Sequence, residues 1–192
     1  MCGRFLIDYE FRDLIKRYNL SKYKGSLKKG EIYPSQKVLT IVGKYAIAMA
    51  FGFDFSWSKR RIINARSETI FEKKTFKELI NQKRCIVPVS AYYEWQGKGD
   101  EKIKHEIFDA SESIMSIAGL YNVFVDQENH KTYQFTLLTK DANESVREIH
   151  HRMPVIIKKE DTEEWLFSKN IKDTRIIEMM KSQGNQLKAK IV

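Results

Sequence analysis

The sequence predicts an α+β fold: a single compact, β-rich domain spanning residues 1–192, with a mostly antiparallel sheet and flanking helices. Three observations lead there. Strand-like runs follow one another through the middle of the chain, with helical periodicity set around them. The composition, 42% hydrophobic and 31% charged, is that of a soluble folded chain with enough apolar material for a core. Three prolines and nine glycines leave no linker-like stretch at which to divide it, and no segment repeats.

The elements follow in order. From Tyr9 to Leu20, Phe11, Leu14, Ile15 and Tyr18 recur at helical spacing and form one apolar stripe. Val38 to Val42 and Tyr45 to Phe51 flank Gly43-Lys44, a two-residue connection with glycine first, which suits a type II′ hairpin. Asp54 to Arg61 is irregular and carries Trp57 and the basic run Lys59-Arg60-Arg61. Ile62 to Thr69 reads as a polar loop, and Phe76, Leu79 and Ile80 as one face of a short helix. Cys85 to Val89 and Tyr92 to Gln96 are strands, and Pro88 argues for an edge or a bulge there. After the turn Gly97-Lys98-Gly99-Asp100, Ile103, His105 and Ile107 alternate with charged residues, the pattern of a half-buried strand. Met115 to Val125 and Tyr133 to Thr139 are two more strands around the loop Asp126 to Lys131. Asn143 to Ile149 is expected as a helix with an Asn cap, closed by Pro154. A short strand, Val155 to Ile157, precedes two helices near Asp161 to Phe167 and Thr174 to Met180, with Gly184 as a stop.

Charge and cysteine usage narrow the function classes. With 34 basic and 25 acidic side chains the formal charge is +9, which favours a polyanionic partner because net charge governs association. The longest apolar run, Tyr45 to Phe53, is too short to cross a bilayer, and no signal-peptide pattern opens the chain. No membrane association and a cytoplasmic setting, nucleoid-associated in a bacterium, are therefore expected. Cys2 and Cys85 make neither a disulfide framework nor a metal knuckle, and no metal is expected.

Four positions carry candidate chemistry. Removal of Met1 would make Cys2 the amino terminus, a 1,2-aminothiol. Its amine and thiol have ordinary pKa values of about 7.7–8.0 and about 8.5, so both are partly nucleophilic near neutrality. With an aldehyde, the amine gives an imine and the thiol closes a thiazolidine; against an amide or ester, the thiolate attacks with its own amine as base. Gly3 and Arg4 allow close approach and supply a cation beside it, whereas Cys85 opens an apolar strand and reads as an inert core thiol. Glu94, in Tyr92-Tyr93-Glu94-Trp95, is either a strand-edge carboxylate in water or a buried one whose raised pKa suits acid–base work. In His150-His151-Arg152-Met153-Pro154, adjacent histidines cannot chelate one metal from a regular element, which leaves a pocket-facing His150 or a purely structural one. Asn64 offers a donor and an acceptor and Arg66 a bidentate fork suited to phosphate, although the same loop also reads as a capped turn.

Together, Met1-Cys2-Gly3-Arg4-Phe5, Ile63 to Thr69, Cys85-Ile86-Val87-Pro88 running into Tyr93-Glu94-Trp95, Ala118-Gly119-Leu120-Tyr121 and Ile149 to Pro154 resemble the SOS-response-associated peptidase (SRAP) family. The resemblance implies a protein that binds single-stranded DNA and DNA ends or junctions at a basic groove and crosslinks to abasic sites, as a monomer and without a cofactor. It implies Cys2 as the nucleophile that forms a thiazolidine with the ring-opened sugar, and Asn64 as a hydrogen-bonding partner around the linkage. It further implies Glu94 as the acid–base group and His150 as a contact to the sugar or adjacent phosphate. Arg4, Arg66 and Arg152 fall where family arginines meet phosphates, and Trp57 where an aromatic stacks on a base. The family name also implies a thiol autopeptidase activity. Departures occur at Glu31-Ile32-Tyr33-Pro34-Ser35, at the loop Asp54 to Arg61, and after Asp173. Two other classes share parts of the pattern. A class II glutamine amidotransferase, an N-terminal-nucleophile amidohydrolase, also begins Met-Cys-Gly, and in a non-catalytic basic DNA-binding protein Cys2 would be incidental.

Overall fold

The computed structural model describes residues 2–168, 172–182 and 186–192; the expected loss of Met1 and the stop at Gly184 lie outside them. The helices and strands run in the order β1 (Arg4–Ile7), α1 (Phe11–Tyr18), β2 (Lys22–Lys24), β3 (Gly30–Ile32), β4 (Lys37–Val42), β5 (Tyr45–Phe51), β6 (Asn64–Arg66), α2 (Lys74–Gln82) and β7 (Arg84–Val89). There follow β8 (Ala91–Lys98), β9 (Glu101–Asp109), β10 (Met115–Val125), β11 (Lys131–Asp141), β12 (Arg152–Pro154), β13 (Ile156–Ile157), α3 (Thr162–Phe167), α4 (Asp173–Lys181) and β14 (Leu187–Ile191). The expected α+β class and mostly antiparallel pairing are what the chain adopts.

The strands form two sheets. One has the order β14-β9-β8-β1-β3 and is antiparallel throughout. The other runs β12-β11-β10-β7-β4-β5-β2, with β6 and β13 added to β11 and β10. A short parallel pairing of Gln134 and Phe135 with Ala50 and Phe51 joins β11 back to β5, so β11, β10, β7, β4 and β5 close into a ring. Closure removes edges that would otherwise expose unpaired backbone. The ring's interior is apolar: Phe51 stacks on Phe135 at 5.2 Å and also meets Phe5 of the other sheet at 5.3 Å. Phe5, Ile7, Ile41, Ile86, Val87, Ile117 and Leu137 are fully buried around this contact.

Local chemistry accounts for the elements that place the site. The β4–β5 hairpin turns at Gly43, whose φ of +56° is the conformation a leading glycine supplies in a type II′ turn. Between β7 and β8 the chain passes from one sheet to the other within a single residue, Ser90, whose N–H donates to Leu6 O at 2.8 Å. That step puts Glu94 on the sheet that also carries the start of the chain.

Three expectations are corrected. Residues 64–66 are a strand, because three residues are enough to pair in parallel with Leu137 to Thr139 on β11. β7 is central, between β10 and β4, and Pro88 is accommodated near its end, where β4 no longer pairs with it. Residues 144–149 form successive turns with no helix; Ala142 N–H bonds His151 O at 3.0 Å and pinches the segment shut. The chain also closes with β14, a strand whose side chains are exposed after Leu187.

Candidate functional site

Cys2 is fully buried immediately ahead of β1, and Asn64, far along the sequence, reaches it: Asn64 Nδ2 donates to the Cys2 carbonyl at 3.0 Å. The short strand β6 makes this possible by laying Asn64 opposite Leu137, with Leu137 N–H donating to Ile63 O at 3.0 Å. Asn64 Oδ1 is buried with no hydrogen-bond partner among the described residues, which leaves one acceptor for a ligand at this point.

Glu94 lies on the inner face of β8 and is 2% exposed, so the structure selects the buried placement of the two the sequence allowed. Burial pushes its carboxyl from 4.5 up to about 7, where both protonation states are populated at neutral pH. Burial, and after it the Glu94 charge, hold the Cys2 thiol well above its ordinary range. The sequence-level expectation of a partly ionised thiol is thereby corrected for this buried setting: Cys2 needs a base, and Glu94 is coupled to it electrostatically. Cys85 is buried too, its thiol pushed up by desolvation, in keeping with an inert core residue.

His150 follows the turns after β11. The Arg152 N–H donates to His150 Nδ1 at 2.9 Å, and the same ring nitrogen lies 3.2 Å from Arg152 O. Burial lowers its pKa, so the ring is a neutral imidazole at pH 7, and it stacks on His151 at 4.4 Å. Gln96 fixes this segment to the strand of Glu94, a link that no local pattern announces. Its Nε2 donates to Glu148 O at 2.9 Å and its Oε1 meets His105 Nε2 at 3.2 Å.

The cationic positions fare differently. Arg4 Cζ sits 4.7 Å from the ring centroids of both Tyr33 and Trp95, and its Nη1 pairs with Glu31 at 3.2 Å. Arg66 is exposed at the end of β6. Arg152 is buried: its Nη1 donates to Glu68 at 2.8 Å and Asp141 at 2.5 Å, and its Nη2 to Glu68 and the Thr139 carbonyl, each at 2.9 Å. Both terminal nitrogens are held within the protein, so Arg152 ties β12 to Thr139 on β11 and to Glu68. Trp57 is 67% exposed and stacks on Phe55 at 4.9 Å, which presents a flat apolar face to solvent.

Two further features bear on ligands. A cavity of about 750 Å³ lies beyond the Arg152 network, lined by Glu68, Phe71, Lys140, Asn143 and Met180 among others, and none of Cys2, Asn64, Glu94 and His150 lines it. Among the described residues, no three His, Cys, Asp or Glu side chains are grouped to hold a metal, and no helix is long and apolar enough to cross a membrane.

Comparison with known proteins places the chain by family and fold. The family described as SOS response associated peptidase (SRAP) matches residues 1–192. The abasic site processing protein YoqW of Bacillus subtilis (strain 168) is 36% identical over 88% of this chain and 82% of its own length. The abasic site processing protein HMCES of Gallus gallus is 28% identical over 78% of this chain, and the match spans 54% of that longer protein. The crystal structure of a Bacteroides thetaiotaomicron protein superposes with a TM-score of 0.88 at 25% identity, covering 100% of this chain and 92% of the other. A Bordetella bronchiseptica protein does so at 0.85 and 19% identity, over 100% and 99%, a likeness of fold. With the fold, the buried Cys2–Asn64–Glu94 grouping and a family match over its whole length, this chain belongs to the SOS response associated peptidase family.

Proposed function

We propose that this protein captures abasic sites in single-stranded DNA, including DNA near ends or junctions, as a covalent thiazolidine at Cys2 once Met1 has been removed. The observation that carries the reading is the burial of the Cys2 thiol in electrostatic contact with a carboxyl poised near neutrality, with Asn64 holding the Cys2 backbone. The names of YoqW and HMCES as abasic site processing proteins supply the substrate class.

The chemistry balances without a cofactor. The ring-opened deoxyribose exposes an aldehyde; the α-amine of Cys2 adds to its carbon, and loss of one water leaves an imine. The thiol sulfur then bonds to the same carbon while its proton goes, by way of Glu94, to the nitrogen. Closing the thiazolidine removes the imine and with it the route to β-elimination and strand breakage. Glu94 is suited to the shuttle because a group with its pKa near the working pH can both accept and release a proton. Neutral His150 donates its ring N–H to the opened sugar or the neighbouring phosphate. Arg4 and Arg66 attract the backbone without reading sequence, and Trp57 stacks on an unpaired base. The same thiol and carboxyl provide for autopeptidase cleavage of any residues preceding Cys2. A cytoplasmic monomer is the form in which we expect it to act.

The test mixes the processed protein with single-stranded DNA carrying one abasic site, without reductant. A heat-stable covalent band with the native protein, none with Cys2→Ala and none with undamaged DNA is the expected result. An equal band from Cys2→Ala overturns the thiol mechanism, and glutamine hydrolysis in place of any band would point to an amidotransferase.

A further inference from the structure

Tyr92 has a feature its fellow buried tyrosines lack. Tyr9 OH donates to Pro88 O at 3.1 Å, and Tyr18 OH lies 2.8 Å from Ser116 Oγ. Tyr92 is more deeply buried than either, at 0% exposed, yet its hydroxyl has no hydrogen-bond partner among the described residues. Buried hydroxyls are nearly always paired, and an orphan costs stability unless something else uses it.

Its surroundings say what that use is. Along β8, Tyr92 and Glu94 are two residues apart and therefore share a face of the sheet. In register, Tyr92 stands between Phe5 on β1 and Ile107 on β9, both apolar, so its immediate strand neighbours offer the hydroxyl nothing. Among the described residues, the titratable side chains on this face are Cys2 from the segment ahead of β1, Glu94 on β8 and His105 opposite Glu94 on β9. After burial itself, the charges of Cys2 and Glu94 are what oppose ionisation of the phenol, so it keeps its proton while theirs move.

We propose that Tyr92 is a positioning residue for the Cys2–Glu94 pair, its O–H donating to whichever of the two bears the negative charge during capture. No bond at Tyr92 is made or broken; the phenol proton stays on its oxygen throughout, and the hydrogen bond favours the ionised form of its partner. The inference rests on the covalent capture proposed above.

Tyr92→Phe removes the donor hydroxyl and little else. Single-turnover crosslinking to abasic single-stranded DNA is measured from pH 5 to pH 9 for both proteins. Loss of the donor makes the Glu94 carboxylate harder to form, so the acid limb of the rate profile moves up by about one pH unit. That corresponds to roughly a tenfold loss near pH 6 with little change at pH 9. Thermal unfolding provides a readout independent of capture: the variant should match or exceed the native protein at pH 5 and melt lower at pH 8. An unmoved acid limb together with equal melting differences at both pH values overturns the proposal. If native protein forms no crosslink, the capture reading falls, and the melting comparison still decides whether Tyr92 donates to this pair.

Discussion

Replacing Glu94 by Gln should stabilise the protein at alkaline pH while removing most of its activity. The carboxyl is 2% exposed and its pKa rises from 4.5 to about 7 on burial. A raised acid binds its proton more tightly in the folded than in the unfolded chain. The associated stability is therefore fully present below pH 4.5 and is lost as pH climbs through 7. A displacement of roughly 2.5 units at about 1.36 kcal/mol each puts the loss at about 3 kcal/mol. Glutamine has nearly the same shape and cannot ionise, so the variant does not suffer this loss. Urea or thermal unfolding at pH 5 and pH 8 reads it directly. The stability difference between variant and native protein should grow by about 3 kcal/mol across that interval, or roughly 6–12 °C in Tm for a chain of this size. Abasic-site crosslinking should fall by roughly a hundredfold or more, the usual range for loss of an acid–base group. Two pH–stability curves that run parallel would show that Glu94 is not held in a raised state and would remove the reason for assigning it the proton.

Arg66 and Arg152 should separate cleanly. Arg66→Ala should leave Tm unchanged but flatten the salt dependence of single-strand binding by about 0.7 log units per log salt for each phosphate that its guanidinium neutralises. Arg152→Ala should do the reverse, lowering stability by about 2 kcal/mol as its bonds to Thr139 and Glu68 disappear. The figure is moderate because Glu68 and Asp141 are 43% and 83% exposed and water resolvates them. Equal salt slopes for the two variants would contradict the assignment. Gly119→Ala on β10 should destabilise by roughly 1–3 kcal/mol. The added carbon would stand 3.0 Å from both Cys85 Sγ and the Thr136 carbonyl, which belong to strands locked in the closed ring; an unchanged Tm would show that the ring gives.

Elements whose identity is local could be read from the sequence, and those decided by distant partners could not. The β4–β5 hairpin was legible because Gly43 specifies its own turn, and β10 and β11 because eleven-residue strands carry enough pattern to be recognised. Three-residue β6 carries none and exists only because β11 accepts it. Asn143 looks like a cap by type, but its Oδ1 bonds nothing among the described residues and the following backbone is tied to Gln96 instead. At the site, Cys2, Asn64 and Glu94 stood out by residue type and motif, and the structure joins Asn64 to Cys2 by a hydrogen bond. The ion pairs of Arg152 were illegible for a physical reason: whether an arginine faces solvent or is claimed by carboxylates depends on Glu68, 84 residues away. Tyr92 gave no signal in an aromatic run, because burial of its hydroxyl without a partner is a property of packing alone.

Intact-mass and peptide mass spectrometry of the abasic-DNA adduct, followed by alkylation of its thiols under denaturing conditions, tests the central claim most directly. The account predicts a chain lacking Met1, joined to the DNA with loss of one water, the linkage mapping to Cys2 and its thiol inaccessible to iodoacetamide while Cys85 reacts. A Cys2 thiol that still alkylates, a retained Met1 in the adduct, or a linkage at a lysine would contradict it.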